Sequence, residues 1–171
     1  MDAARIPAYL KPVIASGEGR QTAGSGHRSA RRLLSRVDLM HHLDAVAELA
    51  PSAPLSFLVV RVSGLEELEE ARGDVGVRFV CRGVGDALIE FCRGTDIAGE
   101  LGPGEFGVIL QGSGTTAAAA TAARLTHHLN RLAFLPGVCS VLVGAATGKG
   151  SHGRRLAWAA METFEPGCCG G

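Results

Sequence analysis

The chain has 171 residues, of which 46% are hydrophobic and only 5% aromatic, enough apolar material for one domain with a core of mostly Leu, Val and Ala. Seventeen Lys and Arg balance seventeen Asp and Glu, which removes the broad electrostatic basis for gripping DNA, RNA or an anionic membrane. No apolar run approaches the roughly 20 residues of a bilayer span. Pro7 and Pro12 interrupt an N-terminus without a signal core, so a cytoplasmic protein is expected. The five cysteines lack metal-ligand spacing. Cys81, Cys92 and Cys139 read as small core residues, and Cys168 and Cys169 as part of a Gly-rich tail.

Residues 1–27 mix Pro, Gly, Ser and charge without periodicity and read as a tail. From Ser29 the positions Leu33, Leu34, Val37, Met40, Leu43 and Ala47 recur every three to four residues, which predicts a helix ended by Pro51 and Pro54. Leu55 to Val62 is almost continuously apolar, the pattern of a strand buried on both faces. A short acidic helix is predicted from Leu65 to Ala71, punctuated by Gly73 and Gly76. A longer one follows from Val77 to Cys92, with Val80, Val84, Leu88 and Phe91 on one face. Asp96 to Leu101 and Glu105 to Gln111 form two strands joined by a turn at Gly102-Pro103-Gly104. Thr115 to Leu132 is rich in Ala, the best helix former. Val138 to Ala146 is a further strand and Leu156 to Phe164 a last helix. A hairpin among alternating strands and helices predicts an α/β (α+β) domain over residues 28–165, with a central mixed sheet flanked by helices. Residues 166–171 form a C-terminal tail.

Leu101-Gly102-Pro103-Gly104-Glu105-Phe106, followed by an apolar strand, resembles the signature hairpin of diguanylate cyclases, the Gly-Gly-Asp-Glu-Phe or GGDEF family. Arg93-Gly94-Thr95-Asp96 resembles the family's Arg-x-x-Asp motif at its usual distance upstream. Leu33-Leu34-Ser35-Arg36 is similar to its opening helix. The resemblance runs over about residues 29–165 and implies the nucleotide-cyclase-like fold.

In that family two GTP molecules on facing domains are joined by attack of a 3′ hydroxyl on an α-phosphate, a reaction dominated by metal ions and positioning. Hard Mg²⁺ takes carboxylate oxygens. Matched to the family's pattern, this chain departs at the positions that carry the chemistry. Arg61 stands where a metal carboxylate ends the first strand, and its guanidinium repels a cation. Gly104 stands at the other metal position and Pro103 at the second signature glycine. Glu66 replaces a phosphate-binding Lys. Glu69 and Arg78 replace the guanine-reading Asn and Asp. Glu105 alone keeps the acidic pair. The resemblance therefore implies a degenerate GGDEF domain with no catalytic residues, no metal and no cofactor. A shifted site on Glu66, Glu67, Glu69 and Glu70 is the rival reading, beside the plainer one of a solvated acidic helix face.

Arg93 and Asp96 match the family's inhibitory site, which binds the product, cyclic di-GMP. Arginine donates two parallel bonds to guanine O6 and N7, and a carboxylate accepts from the guanine N1–H and amino group. Arg124 on the Ala-rich helix stands where the family often supplies a second arginine. The plainer alternative is a surface pair beside a helix end, and Glu100 adds a negative charge where the family often has Arg. The expected function is a non-catalytic cyclic di-GMP receptor acting through Arg93, Asp96 and Arg124 on a protein partner or a second copy in a homodimer. The alternative is a ligand-independent interaction or dimerisation scaffold. The neighbouring histidines His41-His42 and His127-His128 lack chelating i, i+4 spacing, and Gly148-Lys149-Gly150-Ser151 lacks the first glycine of a phosphate loop.

Overall fold

The structure is a computed structural model that describes residues 32–133, 135–149 and 153–164. The two tails expected at 1–27 and 166–171 lie outside those residues. Elements follow in the order α1 (Arg36–Leu49), β1 (Leu55–Ser63), α2 (Leu65–Phe91), β2 (Ile97–Gly102), β3 (Glu105–Gln111), α3 (Thr115–Asn130), β4 (Ser140–Gly148) and α4 (Gly153–Glu162). The strands form one sheet in the order β2-β3-β1-β4.

β1 is central because both of its faces are covered. Leu58, Val60 and Val62 pack with Val80, Val84 and Leu88 of α2 and Leu125 and Leu129 of α3. Phe57 and Val59, which point the other way by strand alternation, are fully buried as well, on the side where α1 and α4 contact the sheet. Two-sided burial is why the strand reads as a nearly continuous apolar run. Its one buried polar side chain is Ser56, whose Oγ donates to the Ser113 carbonyl at 2.7 Å and shares a 2.7 Å bond with Thr147 Oγ1.

The α/β arrangement is as expected, with a difference in strand direction. All three ladders are antiparallel, and the parallel component is a single bridge between Leu34 and Gly99. That bridge also corrects the first helix, which begins at Arg36. Ser35 in extended conformation caps it, its Oγ accepting from the Asp38 N–H, and a Ser cap fixes a start more strongly than an apolar stripe does. Leu34 is instead held by bonds from its own N–H to the Ala98 carbonyl and from the Glu100 N–H to its carbonyl. The two helices expected between Leu65 and Cys92 are one span, broken at Gly73, where φ is 66° and ψ 179°.

At the start of β4 the Asn130 side chain bonds both backbone groups of Val141. Its Nδ2 donates to the carbonyl at 2.7 Å and its Oδ1 accepts from the N–H at 2.8 Å. No helix among the described residues is long and apolar enough to cross a membrane.

Candidate functional site

The hairpin between β2 and β3 and the end of β1 form the first region of interest. The β1–β3 register sets Arg61 opposite Glu105. Arg61 Nε donates to Glu105 Oε1 at 2.8 Å, with both side chains about one third exposed. The Arg61 guanidinium also lies 4.7 Å from the centroid of the Phe164 ring, a cation–π contact. The Glu105 carboxylate is thus already engaged by a cation.

A side chain at the turn would have to displace the end of Leu65. Gly104 is buried with φ +69°, and a Cβ there would come 2.3 Å from Leu65 Cδ1. Its carbonyl accepts from the Val62 N–H at 2.8 Å. Pro103 is exposed at the turn's tip. Cys81 contacts this turn; burial pushes its thiol up, partly offset by the Gly104 backbone. Burial also raises Cys139, with a smaller push from Glu67. Glu66 and Glu69 are exposed on α2. Arg78, also exposed, pairs with Asp74 one helical turn earlier. None of these three joins the Arg61–Glu105 pair. Among the described residues no group of three or more His, Cys, Asp or Glu is placed to hold a metal ion.

The second region lies at the end of α2. Asp96 Oδ2 accepts from the Arg93 backbone N–H at 2.9 Å, and the Asp96 N–H donates to the Arg93 carbonyl at 3.1 Å. The reciprocal bonds fix the turn that delivers both residues. The contact runs from carboxylate to backbone, so the simple Arg93–Asp96 side-chain pair of the plainer reading is not formed. The Arg93 side chain is exposed and enters no ion pair among the described residues. Gln111 ties the same loop to β3 through a bond to the Thr95 carbonyl.

Arg93, Asp96 and Arg124 line one small depression with about 20 Å³ of free volume that opens to solvent, with Phe91, Leu110, Ser113 and Thr121 completing its wall. That volume is far below the roughly 300–1,000 Å³ of small-molecule clefts, so a ligand larger than a water would lie across the depression and not inside it. The Arg124 guanidinium sits 5.4 Å from the Phe91 centroid, and Phe91 in turn meets the His128 ring at 5.7 Å. Glu100 does not line the depression. Helical spacing sets Phe91 on the core face of α2; it is half-buried, and its role as a rest for Arg124 carries no sequence signal beyond that spacing. Phe164, which stacks on Arg61, carries no signal beyond its place at the end of the expected last helix.

This fold is that of GGDEF domains. A diguanylate cyclase, SiaD of Pseudomonas aeruginosa, solved with its activator SiaC, aligns with a TM-score of 0.66 at 19% identity over 79% of this chain and 57% of that one. The chain thus spans little more than half of SiaD. The GGDEF domain of DgcB from Caulobacter crescentus, solved with c-di-GMP, aligns with a TM-score of 0.68 at 18% identity over 80% of this chain and 89% of that one. The FimX GGDEF domain from Pseudomonas aeruginosa gives 0.65 at 17% identity over 81% and 91%. No protein-family model matches the sequence, and no curated protein does.

Proposed function

We propose that this domain does not synthesise cyclic di-GMP but receives it, through Arg93, Asp96 and Arg124. The observation that carries the reading is the convergence of two arginines and one carboxylate on an open depression, with the Arg93 guanidinium free of any acidic partner there. The arginine forks suit guanine O6 and N7 or phosphate oxygens. The second Asp96 oxygen suits the guanine N1–H. The DgcB domain, solved with c-di-GMP, is a precedent for this ligand on this fold.

Loss of synthesis is supported by the other region. The Arg61 cation holds the Glu105 carboxylate, and Gly104 has Leu65 where a ligating side chain would begin. Both features disfavour Mg²⁺. The receptor would then act on a protein partner, or on a second copy bridged by an intercalated ligand pair, in the cytoplasm.

Calorimetry with cyclic di-GMP on the wild type and on Arg93→Ala tests the reading. Saturable binding by the wild type, weakened about tenfold or more in the variant, is the expected result. Absence of binding by the wild type at tens of micromolar ligand overturns it and leaves the ligand-independent scaffold. Any cyclic product from GTP and Mg²⁺ that is lost in Glu105→Ala overturns the non-catalytic part.

A further inference from the structure

The sheet ends on two strands, β2 and β4, and the two edges are finished differently. The outer side of β2 is covered. Leu34 bridges to Gly99 and exchanges bonds with the Ala98 carbonyl and the Glu100 N–H. The β2 ladder also shifts register between Glu100 and Gly102, and Glu100 is an exposed charge. Bulges, charges and covering segments are the devices that keep a strand edge from pairing.

Most of β4 has none of them. Its register with β1 runs without a shift from Ser140 to Gly148, and the strand holds no charge and no proline. Asn130 reaches both backbone groups of Val141, so those groups point away from β1. The Val62 N–H opposite points the other way, to the Gly104 carbonyl. Alternation then turns the backbone groups of Val143, Ala145 and Thr147 outward as well. None of the three is bonded on that side among the described residues, and none is fully buried.

We propose that this stretch pairs antiparallel with the same stretch of a second copy, joining two four-stranded sheets edge to edge. A twofold axis at Ala145 sets Val143 against the partner's Thr147 and Ala145 against the partner's Ala145. Each facing pair exchanges two backbone bonds, so the three outward residues give about six. At one bond per 100–200 Å², about six correspond to roughly 600–1,200 Å², the size of a transient interface, and a reversible dimer follows. The edge bears no charge, so its own equivalent meets it without repulsion. Asn130 blocks a register centred nearer Val141, and the strand ends at Gly148, so this register uses all three outward residues. With β2 covered, a copy offers only its own β4, and the pairing closes at two chains. A foreign strand would take its specificity from pockets beside the edge, whereas Gly144 at the middle has Ala160 and Thr163 against it. The contact needs neither Arg93 nor a nucleotide.

Sedimentation of the full chain without nucleotide, joined to amide hydrogen exchange, is the test. A reversible monomer–dimer equilibrium is expected, with exchange at Val143, Ala145 and Thr147 slowing as concentration rises. Gly144 and Ala146, whose groups face β1, should not change. Ala145→Pro removes one outward N–H and takes no bond from the β1 ladder, the setting in which an edge strand accepts proline. Leu142→Lys, at a position 48% exposed, sets a cation next to the partner's Lys149 and serves where the proline variant fails to fold. Each should weaken the dimer about tenfold or more with the far-ultraviolet spectrum unchanged. A wild type that stays monomeric at several hundred micromolar overturns the proposal. So does a dimer that a folded variant leaves intact, growth beyond two chains, or a dimer seen only with cyclic di-GMP and lost in Arg93→Ala.

Discussion

Arg61 and Glu105 face each other across the β1–β3 ladder and join Nε to Oε1 at 2.8 Å, with Phe164 under the guanidinium. The pair is a direct contact between opposite charges at the end of the ladder. Because both are about one third exposed, their coupling is modest, within about 1 kcal/mol for an ion pair in contact with solvent. A double-mutant cycle on Arg61→Ala and Glu105→Ala, read by urea unfolding, should give a coupling of that size. It should fall as salt is raised, since exposed ions are screened.

Placing a carboxylate at the turn should destabilise the domain. Gly104→Asp places a side chain at positive φ against Leu65, and overpacking of that kind typically costs about 1–3 kcal/mol. Thermal melting should show the loss. Adding Leu65→Ala should recover the steric part only, and neither variant should convert GTP.

Ser56 joins Ser113 and Thr147 from within the mostly apolar stretch Leu55 to Val60. Ser56→Ala would leave the Thr147 hydroxyl and the Ser113 carbonyl short of a partner, at a cost of about 1–3 kcal/mol. Chemical unfolding would register it, and a neutral result would mean that water replaces the hydroxyl.

Burial raises the thiols of Cys81 and Cys139. The folded chain therefore holds these protons more tightly than the unfolded one. The associated stability is complete below the ordinary thiol value of 9.0 and is lost as pH rises from there through the raised folded values. Unfolding free energies measured at pH 8 and pH 10 should fall toward the higher pH, less so in Cys81→Ala. Iodoacetamide should modify both thiols slowly in the native chain and rapidly in urea.

Arg124 offers a way to separate charge from shape at the second region. Arg124→Lys keeps the charge but removes the planar fork and its stacking on Phe91. If the residue reads guanine, cyclic di-GMP affinity should drop about tenfold, whereas a purely electrostatic role would leave calorimetric binding nearly unchanged.

Much of the fold was legible because its signals are local or periodic. The nearly continuous apolar run at Leu55 to Val62 announces a strand covered on both faces, and Gly102-Pro103-Gly104 announces a hairpin. What went astray depended on partners far along the chain. Leu33 and Leu34 fit the helical stripe, yet Ser35 caps the helix and Leu34 bridges to Gly99. Strand direction was not legible either, since antiparallel and parallel pairs bury similar side chains here. The spacing of Arg93 and Asp96 pointed to a site, but that the carboxylate would bind the backbone N–H of Arg93, not its guanidinium, is set by the loop geometry. Phe91 and Phe164 were seen as helix residues. Their place beneath two arginines follows from how α3 and the chain after α4 pack, which periodicity does not encode.

The Asn130 carboxamide on Val141 has a bearing on how copies of the chain behave in crowded solution. β4 ends the sheet's strand order, and an edge strand is a template on which further chains can grow. By occupying both backbone groups of Val141, Asn130 acts as a one-residue stopper there. An incoming strand must either evict it or start beyond it, on the shorter stretch toward Gly148.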